Sequence, residues 1–335
     1  MKVAVFSTQP YDQASLDKSN QNFNHEVVYH ETALGEKTAS LASGFPVICV
    51  FVNDQLNENV IRTIAANGTR LIALRCAGFN NVDLKAAAAA GITVCRVPAY
   101  SPNAVAEYTL GLVISLQRKI HKAWLRVRED NFSLNGLVGN DLYGRTIGVV
   151  GTGNIGALVA RSFQAGLGCE VIAHDVVENP DLVSIGVKYV SKDELLRRAD
   201  VVCLHCPLLP DTQHLINADS LKTTKPGVVI VNSGRGSLVD SAALLDGLES
   251  GHVGGAALDV YEKEKPLFFR DLSEKIVRDH TFQRLITLPN VIVTGHQAFL
   301  SREALNSIAD TTLTNIAQFE KNDGHVEKSN IVTAS

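Results

Sequence analysis

The segment Thr146–Gly156, Thr-Ile-Gly-Val-Val-Gly-Thr-Gly-Asn-Ile-Gly, limits the possible folds more than any other part of the chain. A β-branched apolar run enters a G-x-G-x-x-G loop and leaves it in a helix-forming stretch, the order of strand, tight turn and helix that a dinucleotide-binding unit needs. Gly151 permits the tight turn, Gly153 lets the backbone approach a pyrophosphate, and Gly156 lets helix and strand pack closely. The helix start at Asn154 and Ile155 then offers free N–H groups and a positive dipole end to the phosphates. The next apolar run, Cys169 to His174, closes on Asp175, whose carboxylate suits the ribose hydroxyls of NAD and repels the 2′-phosphate of NADP. The plain alternative is a glycine-rich turn followed by an ordinary strand-end acid. Strand, loop, helix and acid occurring together argue against it.

Around this unit the chain alternates strands and helices, as a parallel sheet covered on both faces requires. With 335 residues it exceeds what one core usually serves, so two domains are expected. In the first hundred residues the strand candidates are Lys2–Ser7, Val47–Val52, Leu71–Cys76 and Thr93–Val97, with helices near Leu56–Asn67 and Val82–Ala90. Ser101-Pro102 opens a segment whose apolar residues recur as one face of a single long helix reaching Arg128, suited to joining domains or forming a dimer face. A second alternation follows, with strands Thr146–Val150, Glu170–His174, Val201–Cys206, Val228–Asn232, Gly255–Leu258 and Val291–Thr294. A last helix, Ser301–Lys321, is placed to return to the first domain.

The composition, 45% hydrophobic and 20% charged with a net charge of −4, is that of a soluble protein and gives no electrostatic reason to expect nucleic acid or an anionic membrane as partner. The N-terminus reads as a buried first strand rather than a signal peptide, and no apolar run is long enough to span a bilayer. Six scattered cysteines within apolar runs suit a reducing, cytoplasmic setting. Cys203 and Cys206 form a C-x-x-C, but they lie in a β-branched run where such positions face opposite sides. With no second pair and no histidines at ligand spacing, no metal is expected.

Three further segments put a charged or titratable residue just after a strand, the edge where open α/β sheets bind ligands. They are Val-Ile-Val-Asn-Ser-Gly-Arg235-Gly, Ala-Ala-Leu-Asp259-Val-Tyr-Glu262-Lys-Glu264 and Val-Ile-Val-Thr-Gly-His296-Gln-Ala-Phe299. Reduction of a keto group needs a hydride at carbon and a proton at oxygen. A histidine can give that proton near neutral pH. A carboxylate on its other nitrogen fixes the tautomer, and an arginine fork can hold a carboxylate and polarise the keto oxygen. Spacing alone does not choose between Glu262 and Glu264. Taken singly, His296 could be an interior histidine, Arg235 a surface charge and Asp259 a turn cap.

Seven segments together carry a resemblance that runs essentially end to end. They are Ala-Leu-Arg-Cys-Ala-Gly-Phe-Asn-Asn-Val-Asp (73–83), Val-Pro-Ala-Tyr-Ser-Pro (97–102), the Gly151–Gly156 loop, Leu-His-Cys-Pro-Leu (204–208), Asn-Ser-Gly-Arg-Gly (232–236), Asp-Val-Tyr-Glu-Lys-Glu (259–264) and Thr-Gly-His-Gln-Ala-Phe (294–299). The chain resembles the D-2-hydroxyacid dehydrogenases, and within them the lactate-type enzymes of fermentative bacteria. The resemblance implies two doubly wound parallel-sheet domains with the active site in the cleft between them. One is a flavodoxin-like substrate domain, 1–100 plus 298–335, and the other a Rossmann NAD-binding domain, 101–297.

It also implies NADH-dependent reduction of pyruvate to D-lactate, with Arg235, Glu264 and His296 as the catalytic trio. Implied cofactor contacts beyond the glycine loop and Asp175 are Cys206, Pro207, Thr212, Ser233, Gly234 and Asp259, the last near the nicotinamide end. Implied substrate contacts are the backbone at Cys76, Ala77 and Gly78, pocket walls at Tyr100 and Phe299, and again Arg235 and His296. Relatives are dimers or tetramers, so a homo-oligomer is expected. Gly295 stands where many relatives have proline, a variant familiar in the lactate-type subgroup, while Gly234 stands where a larger residue is more usual and puts one cofactor contact in doubt. Other 2-keto acids such as phenylpyruvate, 2-ketoisocaproate or hydroxypyruvate are the near alternatives, because one methylene is worth only about 1–3 kcal/mol of discrimination. NAD-binding corepressors share the scaffold but are expected to carry peptide-binding extensions and disordered tails, of which the sequence has neither.

Overall fold

Short β-branched runs become parallel strands here because helices cover both of their faces. The computed structural model describes residues 1–322 and 324–334. The chain divides into two units, Met1–Ser101 with Leu300–Ser335, and Pro102–Phe299.

In the first unit the strands are β1 (Lys2–Val5), β2 (Glu26–Tyr29), β3 (Val47–Val50), β4 (Leu71–Leu74) and β5 (Thr93–Arg96). They pair in parallel in the order β2-β1-β3-β4-β5. Val3, Val5, Val47, Cys49 and Leu71 share a core with Leu313, Ile316 and Phe319, so the helix Arg302–Lys321 does return to this unit. The helix Pro10–Asn20 and β2 were not legible in the sequence. That helix is mostly polar and buries only Asp12, Leu16 and Ser19, and β2 is nowhere fully buried, so neither carries a strong apolar period.

In the second unit the strands are β6 (Thr146–Val150), β7 (Glu170–His174), β8 (Lys188–Tyr189), β9 (Val201–Leu204), β10 (Val228–Asn232), β11 (Val253–Leu258) and β12 (Val291–Val293). Their order is β12-β11-β10-β9-β6-β7-β8, all parallel, with the reversal of direction between β6 and β9. One face packs on Leu112, Val113 and Leu116 of the helix Pro102–Gln117 and on Val159 and Ala160 of the helix Asn154–Arg161. The other packs on Leu195, Leu221, Leu244 and Leu285. The two doubly wound parallel sheets expected from the sequence are therefore present, the second with a seventh strand, β8.

The register of this sheet aligns the strand ends. His174 pairs with Val150, Val150 with Leu204, Leu204 with Asn232, Asn232 with Leu258, and Leu258 with Val293. Whatever follows each of these six residues emerges at one edge.

The single helix expected from Ser101 to Arg128 is corrected: it is two helices, Pro102–Gln117 and Ile120–Arg128. Lys119 between them is left-handed, with φ 55°. The Gln117 carbonyl accepts from the Asn140 amide (3.1 Å), which ends the first helix. The second helix buries no residue, so Trp124, Leu125 and Val127 are exposed instead of continuing the buried face. Cys203 is buried inside β9 and Cys206 lies beyond its end; burial pushes the Cys203 thiol up to about 12 and the Cys206 thiol to about 11.

Candidate active site

The strand-end row brings six loops of the second unit to one edge. After β6, Gly151 takes φ 90°, which a side chain disfavours, and a Cβ there would collide with the Cys206 backbone. A Cβ on Gly156 would strike the Gly151 carbonyl, so the turn closes only because both are glycine. Nothing lies within 4 Å of where a Gly153 Cβ would be, leaving the backbone open to an incoming group. The amides of Gly153, Asn154 and Ile155 at this helix start donate no hydrogen bond within the described residues. After β7, Asp175 accepts from the Thr152 amide and hydroxyl and from the Val176 amide. Burial would raise its carboxyl, but these bonds outweigh burial and hold it below the usual carboxylate range. An open glycine turn, free amides and a held carboxylate are features that fit a dinucleotide.

After β9, the Thr212 hydroxyl donates to the Pro207 carbonyl (2.6 Å) and accepts from the Leu209 amide (2.7 Å), shaping the turn beyond Cys206. After β10, buried Asn232 accepts from the Gly234 amide (3.0 Å) and donates to the Arg235 carbonyl (2.9 Å), and Ser233 meets Thr109 (2.8 Å). The Arg235 guanidinium donates to the Gly234 carbonyl (2.9 Å).

After β11 and β12, His296 Nδ1 meets Glu264 Oε1 at 2.9 Å, and the other Glu264 oxygen accepts from the Tyr261 amide (3.0 Å). Glu262 is engaged elsewhere, with His214 at 2.7 Å. His296 stands at φ 57°, a left-handed position held by Asp259. The Asp259 carbonyl accepts from the His296 amide, and its carboxylate accepts from the Thr294 hydroxyl and the Gln297 and Ala298 amides. Burial pushes the Asp259 carboxyl up, although those bonds and the nearby imidazole oppose the shift. Asp259 thus caps the histidine loop in this structure. The Phe269 ring lies 5.6 Å from the imidazole, centre to centre, and Phe299 is buried just beyond the loop.

In the first unit, Arg75 is fully buried and donates to the carbonyls of Phe6 (2.9 Å) and Ser7 (2.7 Å). Arg96 donates to the Ala77 carbonyl (2.9 Å), and the Cys76 thiol to that of Gly78 (3.2 Å). The loop is pinned from its carbonyl side, while the Ala77 and Gly78 amides donate no hydrogen bond within the described residues. Tyr100 lies at the C-terminal end of the stretch that follows β5.

Sequence reasoning missed Asn232, Thr109 and Phe269. Asn232 ends an apolar strand run and Thr109 sits on an apolar helix face, and a polar residue in a buried run is the signal that could have found both.

His205 lies between Leu204 and Cys206, just past the end of β9. Burial pushes its imidazole down to about 4 from an ordinary 6.5, and its Nε2 has no hydrogen-bond partner among the described residues. The unfolded chain therefore takes up a proton that the folded chain refuses. This contribution is absent above pH 6.5, and stability is expected to fall as pH drops from there towards 4, by at most ~1.4 kcal/mol per pH unit. His25 and His30, also lowered by burial, act in the same sense. Urea unfolding at pH 7, 6 and 5 measures the slope, which His205→Gln should reduce; an unchanged slope would show that His205 titrates alike in both states.

Comparison with known proteins matches residues 110–298 to the family model of the D-isomer specific 2-hydroxyacid dehydrogenase, NAD binding domain. A 2-hydroxyacid dehydrogenase homolog of Schizosaccharomyces pombe is 57% identical over 328 residues, covering 97% of this chain and 99% of its own. The D-lactate dehydrogenase of Escherichia coli K12 is 46% identical over 323 residues, covering 96% and 98%. Among solved structures, one described as the pyruvate reductase of Chlamydomonas reinhardtii superposes with a TM-score of 0.92 at 45% identity, covering 98% of each chain.

Proposed function

The chain belongs to the D-isomer specific 2-hydroxyacid dehydrogenases, NAD-dependent oxidoreductases, and from that premise we propose that it reduces pyruvate to D-lactate with NADH. The observation that carries the proposal is the His296–Glu264 pair at 2.9 Å, set on the same sheet edge as Arg235. Bound NADH supplies the hydride. Arg235 binds the substrate carboxylate and steadies negative charge developing on the keto oxygen. With Nδ1 engaged by Glu264, His296 offers Nε2, which donates its proton to that oxygen. Glu264 stabilises the imidazolium before transfer and keeps the remaining proton on Nδ1 afterwards.

The same proposal assigns the dinucleotide to the Gly151–Gly156 loop, Asp175, Cys206, Pro207, Thr212, Ser233, Gly234 and Asp259, and the substrate to Cys76, Ala77, Gly78, Tyr100 and Phe299. The free Ala77 and Gly78 amides support a carboxylate there. The 1–100 segment with the C-terminal residues from 298 is then the substrate domain and 101–297 the NAD-binding domain. Pyruvate is favoured by the likeness to the E. coli and Chlamydomonas proteins. NADH oxidation across a panel of 2-keto acids, with chiral analysis of the product, tests this. Pyruvate should be the best substrate and D-lactate the product; preference for a bulkier keto acid would replace the substrate, and turnover of none would end the proposal.

Six scattered cysteines within apolar runs support a reducing compartment such as the cytoplasm, where the reaction would regenerate NAD. No helix among the described residues is long and apolar enough to cross a membrane. We further propose a homodimer or homotetramer built on Ile120–Tyr143, where Trp124 is 59% exposed, Phe132 71%, Val138 83% and Tyr143 82%. Sedimentation should show no monomer at micromolar concentration, and Trp124→Glu should release monomers. A monomeric wild type would remove this reading.

A further inference from the structure

We propose that Glu262 and His214, neither of them in the catalytic trio, form a positioning clamp that sets the Arg235 loop against the turn carrying Glu264. The inference rests on Arg235 binding the substrate carboxylate. His214 Nε2 and Glu262 Oε1 lie 2.7 Å apart, and the second Glu262 oxygen accepts from the Ser241 amide (3.3 Å). One carboxylate thereby joins three strand-end segments: the one after β9 through His214, the one after β10 through Ser241, and its own after β11.

The backbone between these points is already in contact. Gly236, next to Arg235, lies so close to the Tyr261 carbonyl and the Glu262 amide that a Cβ would not fit. The Tyr261 amide in turn holds Glu264 (3.0 Å). His214 is left-handed at φ 49°, and its amide donates to the Ser237 carbonyl (2.8 Å) while its own carbonyl accepts from Asn217 (2.8 Å). A non-glycine residue keeps such a conformation where its surroundings over-determine it. A movement of the Glu262 side chain is therefore transmitted to both neighbours of the reaction, Arg235 through Gly236 and Glu264 through Tyr261.

The pair is partly exposed, with side chains 34% and 21% accessible, so it adds little to global stability. Placement of Arg235 is another matter, since a displacement of about 1 Å costs on the order of tenfold to a hundredfold in rate.

The test uses the full-length protein with Glu262→Ala, His214→Ala, the double variant and Glu262→Gln. Both single alanine variants should raise KM for pyruvate about tenfold, lower kcat less, weaken NADH binding far less than they raise that KM, and leave Tm near wild type. The double variant should be no worse than either single one. Glu262→Gln, whose amide oxygen still accepts from His214, should recover most of the loss. Hydrogen exchange of the 233–240 amides should quicken in Glu262→Ala independently of activity. Unchanged exchange and unchanged KM would overturn the clamp, and so would fully additive losses or a parallel fall in NADH affinity and Tm. Should Glu262→Ala not fold, His214→Ala gives the same readings. A wild type that reduces no 2-keto acid defeats the functional reading, and the exchange measurement then still decides the clamp.

Discussion

Replacing His296 with alanine is expected to lower the turnover of keto-acid reduction by about 10²–10⁴-fold, the usual range for a lost general acid, while NADH binds as before. The two effects separate because their residues ride on different strands. The glycine loop and Asp175 follow β6 and β7, and His296 follows β12. The Glu264 bond to Nδ1 leaves Nε2 as the nitrogen that can transfer a proton, so alanine removes the donor and disturbs no bond of the glycine loop. Steady-state kinetics with a parallel NADH fluorescence titration measures both. Near-normal turnover would mean the proton comes from another group.

Arg235→Lys is expected to cost about 10²–10³-fold in kcat/KM for the keto acid, the size of a lost oxyanion donor, although the charge is kept. A lysine offers a point charge where a carboxylate and a keto oxygen are best met by a planar fork. The backbone that presents Arg235 is held by Asn232 and Ser233 as well as by the guanidinium's bond to the Gly234 carbonyl, so the loop should survive the loss of that one bond. NADH affinity and Tm serve as controls. A loss under about fivefold would assign the carboxylate to other donors, with the Ala77 and Gly78 amides first among them.

What could be read from the sequence was what depends on local chemistry. The Gly151–Gly156 turn announces itself because three glycines fall within six residues between an apolar strand run and a helix-forming stretch, and Arg235, Asp259 and His296 stand out as polar residues closing apolar runs. Features set by a distant partner did not show. Glu262 and Glu264 share one turn and are told apart by which histidine the fold brings to each, His214 or His296. The break at Lys119 follows from Asn140 taking the Gln117 carbonyl, a contact that the apolar period of Pro102–Arg128 does not encode. Thr109 and Ser233 likewise meet only once the long helix lies across the sheet. The polar helix Pro10–Asn20 escaped for the opposite reason, because it forms with almost no apolar face at all.

The outermost position of β12 carries a further consequence. It is three residues long and paired on one side only, to β11, yet the loop that follows it presents His296. Strands at a sheet margin with few pairings open more readily than interior ones, and this one is also the last of the described strands in chain order. On the proposed assignment of the site, a nascent or partly frayed molecule would have its glycine loop and Asp175 in place before it has His296. Such a molecule would sequester cofactor without consuming it, so the amount of NADH bound by a preparation measures how much of the sheet has formed, and the turnover measures how much of it has finished.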